Sequence, residues 1–137
     1  MRIFLDTSAY AKRFVEESGS EEIDSILLQG TELGLSIICV PELFSAMNRK
    51  LREKVISRSQ YSKIKASLSE EIIDIDIIQL TDNVIKKTIM LLENNILRSL
   101  DAVHIACAVE WKADIFITSD KRQIKAAKNA IKKVRLI

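Results

Sequence analysis

Short apolar or alternating runs are separated by longer stretches of helical pattern along this chain. Such runs predict strands, most of them buried. They lie at residues 3–5, 35–40, 72–80, 115–117 and 133–137. Between them, apolar residues recur at helical spacing, as Phe44, Met47 and Leu51 do. Strands that alternate with helices indicate an α/β fold with a mostly parallel sheet covered on both faces.

Polar and turn-forming residues mark where the predicted elements begin and end. Residues 30–34 predict a turn that leads into the second strand. Pro41 fits the first position of the next helix, because the N–H that proline lacks would have no partner there. Residues 57–59 separate that helix from another one. Thr81 and Ser99 are predicted to cap the two helices that precede the fourth strand.

Length and composition suit one globular domain over residues 1–137. A domain of this size buries roughly 65–70% of the surface of its unfolded chain, and a hydrophobic content of 47% can fill the core. No apolar run approaches the ~18 residues of a membrane span, and the N-terminal run is too short for a signal peptide. Cys39 and Cys107 lie in apolar stretches without a zinc or disulfide pattern. We therefore expect a soluble, cytoplasmic protein that does not associate with membranes.

Acidic residues from four segments are predicted to meet at one edge of the sheet. Asp6 directly follows the first predicted strand, Glu42 comes two residues after the second, and Asp120 ends the fourth. Asp101 lies in the first turn of the helix that begins near Ser99. Ligands of open parallel sheets bind outside the carboxyl ends of the strands, so these positions form a candidate site. Each acid alone could instead cap a helix or interact with a helix dipole.

Carboxylates gathered in one cleft repel one another and raise each other's pKa unless a cation lies among them. Hard oxygen ligands select Mg²⁺ or Mn²⁺. Such ions activate water and stabilise the leaving oxygen in phosphoryl chemistry. With four acids committed to a cleft, the net charge of +2 leaves a modestly basic surface elsewhere. A basic surface around an acidic cleft suits a polyanionic substrate.

The basic residues that follow Asp120 form either a solvated helix face or a surface that contacts phosphate groups. They are Lys121, Arg122, Lys125 and Lys128, and Arg49, Arg52 and Arg98 are similar candidates. The single histidine, His104, lies in an otherwise apolar helix. We expect it to be structural, because a metal-bound water removes the need for a histidine base. Three further acids flank strands outside the expected cleft: Asp74, Asp76 and Asp114.

Four segments, taken in order, resemble the motifs of the PIN-domain family. They are IFLDTS at 3–8, PEL at 41–43, SLDAVHIA at 99–106 and FITSD at 116–120. Together they extend over nearly the whole chain. Within the family, the chain resembles the VapC-like toxin ribonucleases of type II toxin–antitoxin systems. The resemblance implies a three-layer α/β/α sandwich with a central, mostly parallel sheet.

The same resemblance implies roles for individual residues. Asp6, Asp101 and Asp120 would bind Mg²⁺ or Mn²⁺, and Glu42 would ligate the metal or orient a water, so these four acids would be the catalytic residues. Thr118 would hydrogen-bond within the site. The reaction would be endonucleolytic cleavage of single-stranded or looped RNA by a metal-activated water. The protein would form a homodimer and would be held inactive by a cognate antitoxin protein.

Two other functions fit parts of the pattern. A phosphatase or phosphorelay domain could use Asp6 as a nucleophile. Phosphatases of that kind need a second acid two residues later, however, and this chain has Ser8 there. A receiver domain needs an acidic pair before the first strand's aspartate, which is missing. A PIN-like module that only binds RNA or protein is the other alternative, and the complete set of four acids argues against it.

Overall fold

The computed structural model describes residues 1–29 and 32–137. Its strands are β1 (Arg2–Leu5), β2 (Glu32–Ser36), β3 (Asp76–Ile78), β4 (Ile115–Thr118) and β5 (Lys133–Leu136). They form one sheet in the order β3-β2-β1-β4-β5, and every neighbouring pair is parallel. The predicted parallel sheet is therefore confirmed, with β1 at its centre.

Helices cover both faces of this sheet. They are α1 (Thr7–Tyr10), α2 (Ser20–Leu27), α3 (Cys39–Arg52), α4 (Arg58–Glu71), α5 (Asp82–Asn94), α6 (Ser99–Glu110) and α7 (Lys121–Lys128), with short 3-10 turns at Ala11–Arg13 and Ile72–Asp74. In β1, Ile3 and Leu5 belong to the core shared with α1 to α4, whereas Phe4 belongs to the core shared with α5 to α7. Because neighbouring strand residues point to opposite faces, one short strand joins both cores. The predicted α/β/α sandwich is confirmed.

The second strand begins and ends earlier than the sequence predicts. Instead of residues 35–40, β2 covers Glu32–Ser36, and Glu32 pairs with Arg2 of β1. The apolar run continues past the strand into α3, where Cys39 is fully buried, so apolarity does not mark the boundary. Consequently Pro41 is the third residue of its helix and not the first.

The prediction of a turn at residues 30–34 is wrong for residues 32–34, which belong to β2. Gly30 and Thr31 lie outside the described residues, but Gly34 is a strand residue that pairs with Phe4. A Cβ on Gly34 would lie 2.8 Å from a carbon of the Trp111 ring. This glycine therefore allows the ring at the end of α6 to pack against the sheet.

Two other boundaries differ from the prediction. The third strand is only Asp76–Ile78, because the residues before it form the 3-10 turn Ile72–Asp74. Ser99 is the first residue of α6 and not its cap, whereas Thr81 caps α5 as predicted, accepting a hydrogen bond from the N–H of Val84 at 3.2 Å. Among the helices of residues 1–29 and 32–137, none is long and apolar enough to cross a membrane.

The chain order reverses at the centre of the sheet, between β1 and β4. From β1 the chain builds outward through β2 to β3, and it then returns to the other side of β1 with β4 and β5. Such a reversal opens a crevice at the carboxyl ends of the two central strands, which is where open α/β sheets bind ligands. Asp6 and Thr118 lie at those strand ends.

Candidate active site

Asp6 is the central carboxylate of this crevice. It leaves β1 in extended conformation and caps α1, accepting a hydrogen bond from the N–H of Ala9 at 2.9 Å. The Ser8 hydroxyl donates to its Oδ1 at 2.7 Å. Its Oδ2 accepts from the Thr118 hydroxyl at 2.6 Å and from Nε2 of Gln123 at 2.9 Å. All of these donors are neutral, and Asp6 is only 2% exposed.

This environment raises the pKa of Asp6 above its ordinary value. Burial disfavours the charged carboxylate, and it outweighs the charge of nearby His104 and the hydrogen bonds from Thr118, Ala9 and Ser8, all of which act to lower the pKa. No Lys or Arg of the described ranges forms an ion pair with Asp6. Asp6 is therefore a buried acid without an ion-pair partner in the described ranges.

Asp101 lies next to Asp6 and shares one of its donors. It is in the first turn of α6 and is 8% exposed. Nε2 of Gln123, which donates to Asp6, also donates to Oδ1 of Asp101 at 3.2 Å. On the other side, Nε of Arg98 donates to Oδ2 of Asp101 at 3.1 Å. One amide thus joins the carboxylate at the end of β1 to the carboxylate in the first turn of α6.

Asp120 completes a chain of carboxylates linked by shared donors. It caps α7, and its carboxylate accepts from the backbone N–H of Arg122 at 2.9 Å and from the guanidinium of the same residue at 2.8 Å. Hydrogen bonds from Arg122 hold the pKa of Asp120 below its ordinary value. The guanidinium of Arg98 lies 3.6 Å from Asp120 while it bonds to Asp101. The N–H of Asp120 donates to the Thr118 hydroxyl at 2.9 Å.

Glu42 lies in the first turn of α3 and makes a separate cluster. Its Oε1 accepts from the Thr7 hydroxyl at 2.7 Å and lies 2.5 Å from Nε2 of His104. Burial acts to raise the pKa of Glu42, but the hydrogen bond and charge of His104, helped by Thr7, outweigh it and lower the pKa. His104 is 2% exposed. The expectation that it is held by hydrogen bonds agrees with the structure, although its partner is a candidate site acid.

The structure therefore brings the predicted acids together in pairs. Asp6 and Asp101 share an amide, Asp101 and Asp120 share a guanidinium, and Glu42 bonds to the residue that follows Asp6 in the chain. Within the described part of the chain, no three side chains of His, Cys, Asp or Glu are close enough to hold one ion. The space between the acids is filled by Gln123 and Arg98.

The predicted supporting residues take different positions. Thr118 is fully buried between Asp6 and Asp120, whereas Lys121 begins α7 and is exposed. Arg122 is exposed and paired with Asp120. The acids expected outside the cleft have other partners where the structure shows them: Asp76 accepts from the Trp111 indole at 2.9 Å, and Asp114 accepts from the N–H of Arg2 at 2.8 Å.

Three site residues are not among those predicted from the sequence: Gln123, Thr7 and Ser8. Gln123 has the clearest signal, since it lies on the apolar side of α7, one turn before Ala126 and Ala127, and is 2% exposed. A polar side chain at a buried helix position needs a hydrogen-bond partner. That signal predicts a polar contact, but not that the contact is with two carboxylates.

The chemistry of this donor set fits a hard divalent cation. The candidate ligands are carboxylate oxygens, the kind of atom that Mg²⁺ and Mn²⁺ prefer. Asp6 has no ion-pair partner in the described residues, and Oε1 of Gln123 is buried with no hydrogen-bond partner there. A cation at the Asp6–Asp101 pair would supply the missing charge.

Solved structures with the same fold match this chain over almost its full length. The VapBC2 structure from Rickettsia felis, bound to a promoter DNA fragment, gives a TM-score of 0.71 at 15% identity and covers 100% of this chain and 99% of that one. VapC20 of Mycobacterium tuberculosis, a Sarcin-Ricin loop cleaving toxin, gives 0.70 at 13%, covering 95% and 97%. FitAcB from Neisseria gonorrhoeae gives 0.69 at 16%, covering 97% and 96%.

At these identities the likeness concerns the fold alone. A comparison with curated protein sequences finds no match. The sequence profile of the PIN domain matches residues 3–129, a segment that includes all four candidate acids and most residues of both cores. With the profile, the fold and the strand-end acids in agreement, the chain belongs to the PIN domain family.

Proposed function

We propose that this chain is a metal-dependent endoribonuclease and the toxin of a toxin–antitoxin pair, with residues 1–137 acting as one nuclease domain. The observation that carries the proposal is the environment of Asp6. A carboxylate that is 2% exposed, bonded only to neutral donors and joined to Asp101 through a single amide favours a cation as its missing partner. Its position at the chain reversal is where such folds bind ligands.

Asp6, Asp101 and Asp120 are the proposed ligands of Mg²⁺ or Mn²⁺, and they would have to move closer together as Gln123 and Arg98 leave the space between them. When bound, the metal supplies a water of lowered pKa and stabilises charge on the phosphate oxygens. Thr118 fixes the first and last of these acids, because its hydroxyl donates to Asp6 and accepts from the backbone of Asp120. Ser8 fixes Asp6 from the other side.

Glu42 is proposed to orient the attacking water. Its lowered pKa keeps it ionised at neutral pH, so it can accept a hydrogen bond from that water. Thr7 and His104 both engage Oε1, and no hydrogen bond within residues 1–29 and 32–137 uses Oε2. His104 holds Glu42 in place and is too buried to reach a substrate.

The basic residues near Asp120 are proposed to contact the phosphates of the RNA. Lys121 and Arg122 lie at the exposed start of α7, and Arg98 is 66% exposed beside the same acids. Phosphate contacts of this kind position a nucleic acid without reading its sequence. The two arginines now neutralise Asp101 and Asp120, so they would have to exchange a carboxylate for a phosphate when RNA binds.

The proposed partners follow from family and fold. Nuclease activity is what the PIN resemblance implies, and one of the fold relatives is named as a toxin that cleaves the Sarcin-Ricin loop. Another relative is a VapBC assembly. We propose by analogy an RNA substrate, a cognate antitoxin protein, a homodimer and a cytoplasmic location for this chain.

A binding module without catalysis is the second candidate, and one observation favours it. Arg98 and Arg122 already pair with the acids of α6 and α7, so these acids have partners without a metal. A phosphorelay function is less compatible with the structure. The acidic pair that a receiver domain needs before this aspartate is missing, and Asp6 is only 2% exposed to a phosphoryl donor.

The test is RNA cleavage by purified wild type and three variants, each with Mg²⁺, Mn²⁺ or EDTA. Asp6→Asn and Asp101→Asn should each abolish cleavage. Asp74→Asn makes the same change at an exposed position outside the site and should cleave like wild type. Cleavage that needs metal and is lost only in the site variants would support the proposal. Equal cleavage by all three, or none by wild type, would favour the binding module.

A further inference from the structure

Gln123 makes an unusual set of contacts in the middle of the proposed metal site. It is the third residue of α7, and its side chain is 2% exposed. Nε2 donates to Oδ2 of Asp6 at 2.9 Å and to Oδ1 of Asp101 at 3.2 Å. Oε1 is buried and has no partner among the residues that the structure describes. One end of the amide is fully used and the other end is not used at all.

The orientation of this amide follows from the chemistry of its neighbours. An ionised carboxylate only accepts hydrogen bonds, so the NH₂ end must face Asp6 and Asp101. Each hydrogen bond to a charged acceptor is stronger than a bond between neutral groups. The two bonds place a partial positive charge between two acids that would otherwise repel each other.

The unpaired oxygen shows what holds the amide in place. A buried carbonyl without a partner is unfavourable, so the Oε1 end does not hold the side chain where it is. The position of the amide is therefore determined by the two carboxylates alone. A stronger cationic partner for these carboxylates would remove the reason for the amide to stay.

We propose that Gln123 is a placeholder for the metal ion. In the metal-free protein its NH₂ group occupies the position between Asp6 and Asp101 that the cation takes, and the amide moves aside when the cation binds. This inference rests on the proposed metal site and assigns Gln123 a positioning role within it. Gln123 lowers the affinity for the metal, because two hydrogen bonds to carboxylates are lost on binding.

Arg98 also links two of the acids, but it is exposed to solvent, whereas Gln123 is buried. Arg98 links Asp101 to Asp120, yet its side chain is 66% exposed, so water can replace its bonds at little cost. Gln123 is buried and reaches Asp6, which has no charged partner in the described ranges. The competition with the metal is therefore concentrated in Gln123.

The test is calorimetric titration of Mn²⁺ into metal-free protein, comparing wild type with Gln123→Met. Methionine keeps the length of the side chain. It cannot donate to the carboxylates, and its sulfur accepts hydrogen bonds more weakly than the glutamine carbonyl does. Wild type loses two hydrogen bonds to carboxylates when the metal binds, but the released amide regains hydrogen bonds with water. If the net loss equals one bond to a charged group, the variant, which has no such bonds to lose, should bind Mn²⁺ with an about tenfold lower Kd. The melting temperature in EDTA should fall, since the two acids then face each other without a donor. Gln79→Met, the same change at an exposed position, should leave both quantities unchanged.

Two outcomes would overturn the placeholder role, and they differ in what else they affect. If wild type binds Mn²⁺ and Gln123→Met binds it equally or more weakly, Gln123 is a structural residue or a ligand, and the proposed nuclease site still stands. If neither protein binds Mn²⁺, the metal site itself fails and the placeholder role fails with it.

A measurement on the unmodified chain covers the case in which the variant does not fold. The side-chain NH₂ protons of Gln123 should move to higher field as Mg²⁺ saturates the protein, because their hydrogen bonds to Asp6 and Asp101 are lost. Protons that keep their shifts while the backbone N–H of Ala9 responds to Mg²⁺ would show that the amide stays in place. That result would contradict the proposal.

Discussion

Replacing Thr118 with valine should destabilise the protein more than the small change in side-chain volume suggests. The side chain is fully buried, so valine fits the same space with little change in packing. What is lost is the hydroxyl, which donates to Oδ2 of Asp6 at 2.6 Å and accepts from the N–H of Asp120 at 2.9 Å. Thr118→Val therefore removes two hydrogen bonds with one atom, and one of the partners is a buried carboxylate.

The expected size of the effect follows from these two bonds. A hydrogen bond to a charged group contributes about 1.5–3 kcal/mol, and a partly buried N–H left without a partner costs about 1 kcal/mol. The free energy of unfolding should therefore fall by about 3 kcal/mol in Thr118→Val. Thr118→Ser keeps the hydroxyl and loses one buried methyl group, which should cost about 1 kcal/mol.

The assay is urea unfolding of wild type, Thr118→Val and Thr118→Ser in EDTA, followed by circular dichroism. The valine variant should unfold at the lowest urea concentration and the serine variant should lie close to wild type. If Thr118→Val is as stable as Thr118→Ser, or more stable, the hydroxyl does not hold Asp6 and Asp120 as described. The carboxylates of the site would then not be preorganised by Thr118.

Three further predictions test the packing and the electrostatics. Gly34→Ala should lower the free energy of unfolding by about 1–3 kcal/mol, because its Cβ would lie 2.8 Å from the Trp111 ring; a variant as stable as wild type in urea would contradict this. Burial raises the pKa of Asp6 above 3.8, so the folded metal-free protein loses stability as pH rises through that raised pKa. The stability of Asp6→Asn relative to wild type in EDTA should therefore increase as the pH rises above about 4, and a difference that does not change with pH would refute this. Burial raises the pKa of Cys39 to about 12 and also raises that of Cys107. Neither thiol should therefore react with iodoacetamide at about pH 8 until urea is added. Modification of the native protein, detected by mass spectrometry, would contradict this.

The positions of the strand-end acids could be predicted because parallel strands end at a common edge. Asp6 directly follows β1, and Asp120 comes two residues after β4, which lies beside β1 in the sheet. Local sequence was enough to place both. That they bind a metal stays a prediction, since the structure shows them bonded to side chains of the chain itself.

The contacts among these acids could not be predicted, because they depend on how helices rotate against the sheet. Gln123 belongs to a run of basic residues, and only the rotation of α7 turns it inward toward Asp6. The apolar helix around His104 predicts a structural role, but not its contact with Glu42, which joins residues far apart in the chain. The start of β2 was missed for a similar reason, since the pairing of Glu32 with Arg2 decides it.

The most direct test of the central claim is anomalous X-ray diffraction from crystals grown with Mn²⁺. If the crevice is a metal centre, an anomalous peak should lie between Asp6 and Asp101, with carboxylate oxygens as ligands and the Gln123 amide turned away. A peak elsewhere on the surface, with Nε2 of Gln123 still bonded to both acids, would contradict the claim that this crevice is a metal centre.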